Sequence, residues 1–401
     1  MISRNTALVV FGRLFTSYGY YLVIPFLMIY ITKYLGMSAI DAGILLAILN
    51  LSRRGLGILA GYWSDKFGSR NMILVGLALE VLAYTTMSWV TNFWLLAIII
   101  FLSGAGGCLY NISSRAILAK PKEGQNTAVT FGFFYITMHI GSLLGPLTYV
   151  WFSDKGILPL TFFFSAGVYG IFLLLSIIWL KPSPEDKNKP AIRLKDMFVV
   201  FSSRPFMIYC SLITGVWFIL TQLYIVLPLY VLKMPNGEQL IAYLNAWNAI
   251  LIIVFQYWCS RMISNLTLST KFTMLAFGTL LMGIAWSLCM FPGEYMLYFA
   301  ISLFTIGEIL FIGVVDLLAI TFAPAGKSGL YLGFSTCTWA IGGAFASVPG
   351  TVFYSFADNS QHLEWYWLSL LIMSFLVSIV VLISKIKLVD FLNKSPLLQV
   401  Y

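Results

Sequence analysis

Two ionisable side chains stand in the middle of long apolar runs: His139 in "TFGFFYITMHIGSLLGP" and Glu308 in "FTIGEILFIGVV". A charge at the centre of a membrane helix costs about 2.5 to 3.5 kcal/mol on insertion scales, so each such residue needs a reason. A carboxyl in a low-dielectric cavity suits reversible protonation, which makes Glu308 the first candidate for a proton carrier; a counter-ion to substrate or a structural partner is the alternative. Histidine titrates near neutral pH, so His139 is a second coupling candidate, against a plain hydrogen-bonded packing role. Asp316, further along the same run and closer to the cytoplasm, is a third candidate, although a residue so placed is more often a gate residue. Arg13, Arg53, Arg54 and Glu80 lie roughly 10 to 13 Å from the ends of three other runs at 1.5 Å per helical residue. They form one expected cluster, in which Glu80 either joins the proton path or pairs with Arg53 or Arg54.

Other chemistries find no support. Cys108, Cys210, Cys259, Cys289 and Cys337 are scattered without C-x-x-C or metal spacing, so packing is the expected role of each. "GKS" at Gly326 to Ser328 lacks the first glycine of a phosphate loop, since Thr321 occupies that position. There is no H-E-x-x-H, no nucleophile elbow and no soluble catalytic stretch, so no enzyme, cofactor or metal is expected.

The elements that must position these residues follow from composition. The 401 residues are 60% hydrophobic and 10% charged, with mean hydropathy +0.90; a globular chain has about 25% charged residues. Apolar runs of about 20 residues recur, each long enough to cross a hydrocarbon core of about 30 Å as a helix. The expectation is an all-α polytopic membrane protein with twelve transmembrane helices at 7–32, 39–62, 72–91, 94–117, 128–152, 158–180, 205–232, 239–260, 271–292, 295–321, 329–354 and 364–386. With both termini cytoplasmic, 18 Lys and Arg fall on cytoplasmic segments against 3 outside (Lys33, Lys155, Lys233), the asymmetry of the positive-inside rule. The net charge of +9 then reports topology and contact with anionic membrane lipids, not nucleic acid.

The polar stretch "KPSPEDKNKPAIRLKD" divides the chain into an N-terminal six-helix bundle (1–181), a cytoplasmic linker (182–204) with a short amphipathic helix at 192–201, and a C-terminal six-helix bundle with a short tail (205–401). A shift of 201 residues aligns Leu102 with Leu303, Gly106 with Gly307, Gly132-Phe133 with Gly333-Phe334 and Ile140-Gly141 with Ile341-Gly342. Two pseudo-symmetric repeats of this kind are a transporter architecture. Under the same shift Glu308 replaces Gly107, an acid introduced into one half alone.

Between spans two and three, Gly61-Tyr-Trp-Ser-Asp65-Lys66-Phe-Gly68-Ser-Arg70 resembles the signature loop of the major facilitator superfamily, with Trp63 and Ser69 as departures. The turn favours Gly68 at positive φ. The resemblance implies that Asp65 sits at the start of span eleven, where a helix dipole favours an anion, and that Gly61, Asp65, Lys66, Gly68 and Arg70 form a cytoplasmic gate. In span five, Gly132, Gly141, Gly145 and Pro146 resemble the antiporter signature of the same superfamily, although Tyr149-Val150 stand where two further glycines are usual. That implies a close-packing face turned to the other half that limits ion leak. "YLVIPFLMIYITKYLG" and the stretch from Gly307 to Phe334 are similar to twelve-helix drug:proton antiporters, whose early span-four arginine is missing from "FLSGAGGCLYN".

The function so implied is a proton-coupled exporter of a small amphipathic or hydrophobic compound, a monomer in the plasma membrane of a bacterium. An exporter dedicated to a metabolite, siderophore or lipid, a proton symporter or facilitator for uptake, and a transporter-derived receptor remain open.

Overall fold

The computed structural model describes residues 3–24, 27, 30–37, 39–119, 126–155, 160–182, 199–231, 233–291, 293–324 and 326–394. Among them the regular elements are all helical. They are α1 (Arg4–Val23), α2 (Ala39–Asn50), α3 (Gly57–Phe67), α4 (Ser69–Met87), α5 (Phe93–Leu118), α6 (Thr127–Asp154), α7 (Leu160–Trp179) and a single turn α8 (Val199–Ser202). Then follow α9 (Arg204–Val231), α10 (Gly237–Ser264), α11 (Leu268–Ser287), α12 (Glu294–Thr321), α13 (Ser328–Phe345), α14 (Thr351–Asn359) and α15 (Leu363–Lys394). Most of the linker with its expected amphipathic helix lies outside the described residues.

Helix starts are set by local chemistry. Ser3, Asn92 and Thr267 each turn a side-chain oxygen back onto N–H groups of the first turn, at 3.0 to 3.3 Å, which satisfies donors that have no partner inside the helix. Gly68 separates α3 from α4 at φ +88°, a conformation that a side chain would strain.

Seven helices are each long and apolar enough to cross a membrane among the described residues: α5, α6, α7, α9, α11, α12 and α15. An eighth is reached if the bent pair Ile44–Gly55 and Gly57–Phe67 is one span. Span two, expected as one helix over 39–62, is thus broken. A π-helical turn, Leu51–Gly55, joins α2 to α3 with a bend of 43°. Span eleven is interrupted too, by a π-helical turn at Ala346–Gly350, where Pro349 has no N–H to give. In span one the described residues give the helix Arg4–Val23 and a π-helical turn at Tyr30–Tyr34.

The chain forms two compact units, Met1–Val199 with Pro324–Cys337, and Val200–Ala323 with Thr338–Tyr401. In the first, α1 packs along α6 and α7, and α4 along α5 and α7. In the second, α11 packs along α12 and α15, and α10 along α12. Glycines set the closest approaches. A Cβ on Gly106 would lie 2.7 Å from the carbonyl oxygen of Gly76, and one on Gly278 would lie 2.7 Å from that of Gly307. Gly106 and Gly307, which the 201-residue shift aligns, therefore do the same work in their own units.

Candidate functional site

The π-helical turn Leu51–Gly55 and the neighbouring helices build a buried polar centre in the first unit. Arg53 Nη1 donates to Glu80 Oε1 at 2.9 Å, and Ser103 Oγ donates to Glu80 Oε2 at 2.7 Å. The guanidinium also lies 3.8 Å from the centre of the Tyr20 ring. Glu80 is fully buried, so both of its oxygens need these donors. Small residues make the space: a Cβ on Gly107 would lie 2.8 Å from Glu80 Oε1, and would run into Arg53 as well. Arg13 lies within electrostatic reach of Arg53 but contacts a different helix, donating through Nη2 to Met138 Sδ at 2.9 Å.

Asp65, at the end of α3, forms a second buried centre. It is 2% exposed, and its carboxylate accepts the N–H of Gly329 at 3.2 Å and of Leu330 at 2.8 Å, in the first turn of α13. An acid at a helix N-terminus meets both unpaired N–H groups and the positive end of the dipole. The approach depends on two glycine pairs: Gly57 meets Gly333 and Gly61 meets Gly329, in each case so closely that no Cβ fits between the backbones. The i, i+4 spacing of Gly57 with Gly61 and of Gly329 with Gly333 was the available signal for this contact, which the motif alone does not show. Lys66 stays exposed, its Nζ 5.4 Å from the Tyr62 ring and 5.1 Å from the Phe67 ring. Arg70 donates to the carbonyls of Leu180 at 2.5 Å and Ile177 at 3.3 Å, closing the C-terminal end of α7.

The span-five residues serve the first unit. Gly141 faces α1, where a Cβ would lie 2.7 Å from Ser17 Cβ and Tyr18 N, and Gly145 faces Tyr21 and Leu22 of the same helix. Gly132 is buried and Pro146 lies inside α6. Gly141 and Gly145 thus pack on α1 within their own unit.

In the second unit Glu308 is 5% exposed on α12. Asn248 of α10 donates its Nδ2 to Glu308 Oε2 at 2.8 Å and to Thr305 Oγ1 at 2.9 Å. Among the described residues no cation pairs with Glu308. Asn248 was not evident from sequence, because an Asn in an apolar helix has no fixed meaning until its partner is seen. Asp316 is buried on α12, eight residues on, about 12 Å along the helix. Glu80 and His139 belong to the first unit, Glu308 and Asp316 to the second. Arg115, buried, donates to Thr336 Oγ1 at 2.7 Å, a contact the spacing of residues did not announce. Of the aromatic side chains, Trp217 stacks on Trp339 at 4.3 Å and Trp247 Nε1 donates to Ser302 Oγ at 2.8 Å. Among the described residues no group of His, Cys, Asp and Glu is placed to hold a metal ion.

Comparison with known proteins agrees with this architecture. The profile described as the Major Facilitator Superfamily matches residues 9–347. An uncharacterized MFS-type transporter of Bacillus subtilis (strain 168), YqjV, is 29% identical over 349 residues, covering 81% of this chain and 79% of its own. The multidrug resistance protein MdtH of Escherichia coli (strain K12 / DH10B) is 25% identical over 356 residues, covering 88% and 87%. Among solved structures, the human organic anion transporter MFSD10 superposes with a TM-score of 0.73 at 13% identity, over 96% of this chain and 99% of that one. A POT family transporter in complex with 5-aminolevulinic acid superposes with a TM-score of 0.68 at 17% identity, over 96% of each. These two likenesses show the fold. A match over most of the chain, on a protein built of apolar helices, means that it belongs to the Major Facilitator Superfamily and is a multi-pass membrane transporter, not an enzyme.

Proposed function

We propose that the protein is a proton-coupled antiporter that exports a small amphipathic or hydrophobic compound by alternating access. In this reading it is a monomer of twelve transmembrane helices in two six-helix bundles, joined by the linker at 182–204. It resides in the bacterial cytoplasmic membrane with both termini inside. The observation that carries the proposal is the surroundings of Glu308. A carboxylate held in the membrane by one amide donor, with no cation beside it among the described residues, loses its charge by taking up a proton. Similarity to curated multidrug resistance proteins supports export as the direction.

Glu308 then carries the proton. Asp65, bound to the first turn of α13, is the cytoplasmic gate together with Gly61, Lys66, Gly68 and Arg70, and releases that turn when the inward face opens. Glu80, neutralised by Arg53, holds the first unit together. One charge crossing 100 mV is worth about 2.3 kcal/mol. One proton per neutral molecule at about 150 mV therefore supports a gradient of a few hundredfold.

The test is proton flux in proteoliposomes carrying an internal pH dye, with a panel of amphipathic compounds added, for the intact protein and for Glu308→Gln. Proton movement opposite to cargo, abolished in the variant, is the expected result. Cargo movement without protons makes the protein a facilitator, and co-directional movement makes it a symporter; either overturns the proposal.

A further inference from the structure

Among the described residues Arg13 is a charge without a counter-charge. It lies on α1, 9% exposed, inside the first unit. Its Nη2 is spent on a thioether, Met138 Sδ at 2.9 Å, which is a weak acceptor. Its guanidinium lies 5.0 Å from the centre of the Phe134 ring. Its buried Nε has no hydrogen-bond partner, and among the described residues no carboxylate pairs with it. An arginine cannot shed its proton in a protein, so the charge persists.

Another cation, Arg53, is within electrostatic reach, as are His139 on α6 and the phenol groups of Tyr110, Tyr21 and Tyr135. Arg53 is already satisfied by Glu80. The Tyr110 hydroxyl is buried and lies within hydrogen-bonding reach of the hydroxyls of Thr16 and of Ser114, which stands one helical turn on. A guanidinium with a spare N–H, beside hydroxyls and a histidine that can turn a proton toward a newcomer, is a donor set that calls for an acceptor of opposite charge.

We infer that Arg13, with Tyr110, Ser114 and His139, receives an anionic group, such as a carboxylate, carried by the transported compound. This names a substrate class for the transporter and rests on the export reading above. The cargo is then an amphipathic acid or zwitterion. A simple organic cation is disfavoured there, because Arg13 repels it and the Glu80 carboxylate is already paired with Arg53.

The probe set is 1-naphthylacetate, its neutral amide and 1-naphthylethylamine, which share an aromatic body and differ in charge. Binding to the purified full-length protein in phosphatidylcholine nanodiscs is read by tryptophan fluorescence, for wild type, Arg13→Gln and Arg13→Lys. The expected result is preference for the acid, a loss of about tenfold or more in Arg13→Gln, partial retention in Arg13→Lys, and no change for the amide. A monodisperse Arg13→Gln protein that still binds the amide shows that loss of the acid is not misfolding. Should Arg13→Gln fail to fold, Ser114→Ala and Tyr110→Phe are used instead, each expected to weaken the acid about 3- to 10-fold and the amide not at all. Equal affinity for acid and amide, insensitivity of the acid to Arg13, or no binding of the acid overturns the inference. Acid binding lost on adding phosphatidylglycerol assigns the site to a lipid headgroup and overturns the assignment to cargo. Proton-coupled movement of the amine or amide but not the acid leaves the export reading standing while the anion site falls; coupled movement of none of the three tells against both.

Discussion

Asp65→Asn should loosen the first turn of α13. In the wild type one buried carboxylate accepts two N–H groups, Gly329 at 3.2 Å and Leu330 at 2.8 Å. The amide keeps one oxygen, so one of the two bonds survives as a neutral one. A hydrogen bond to a charged group contributes about 1.5 to 3 kcal/mol and a neutral one about 0.5 to 1.5, a difference of about 1 kcal/mol. The other N–H now faces an NH2 group and is left unsatisfied, for about 1 to 3 kcal/mol more. The sum, about 2 to 4 kcal/mol, corresponds to a roughly 30- to 1000-fold rise in local opening. Hydrogen–deuterium exchange of a peptide covering residues 328–337 measures it directly. Gly329→Ala should raise exchange as well, because its Cβ would lie 2.8 Å from Asp65 Oδ1. Lys66→Gln should not, since Lys66 is exposed. Unchanged protection in Asp65→Asn would refute the reasoning, and would leave Asp65 as a marker of topology with no hold on α13.

Three other perturbations test the packing. Glu80→Gln leaves the Arg53 charge buried without its partner and should cost about 3 to 5 kcal/mol, whereas Arg53→Met combined with Glu80→Leu should recover most of that loss; thermal unfolding followed by fluorescence compares them, and equal loss in single and double variants would show that the pair is not what matters. Gly141→Ala should destabilise by about 1 to 3 kcal/mol, because its Cβ meets the α1 backbone at Tyr18 N, 2.7 Å away. Gly167→Ala should leave stability unchanged or raise it by up to about 1 kcal/mol, having nothing within 4 Å to meet and a better helix former in place.

Much of the helix framework was legible because its causes are local. Mean hydropathy, run length and capping residues such as Asn92 and Thr267 act within a few residues of chain, so helices could be placed before any packing was known. The interruptions were not legible in this way. Pro349 in "ASVPG" removes one helix donor and is the single local signal, whereas "LSRRG" holds no proline and nothing local that separates a π-helical turn from a regular one. Gly68 was readable as a turn residue, since a short reversal between two helices demands positive φ at that point.

The candidate site divides along the same line. From the sequence by itself it was determined that Glu308, His139, Arg13 and Glu80 are ionisable groups in apolar helices, and that the loop around Asp65 belongs to a known family of transporters. Only the tertiary structure decided their partners: Arg53 for Glu80, 27 residues away; Asn248 for Glu308, 60 away; and the N–H groups of Gly329 and Leu330 for Asp65, 264 and 265 away. It also decided that Arg13 meets Met138 and no acid among the described residues. The physical reason is that hydrogen bonds within a helix fix its existence but leave its rotation and axial shift free. Those two quantities choose which side chain faces which, and they are set by close approach of backbones at glycines far apart in the chain.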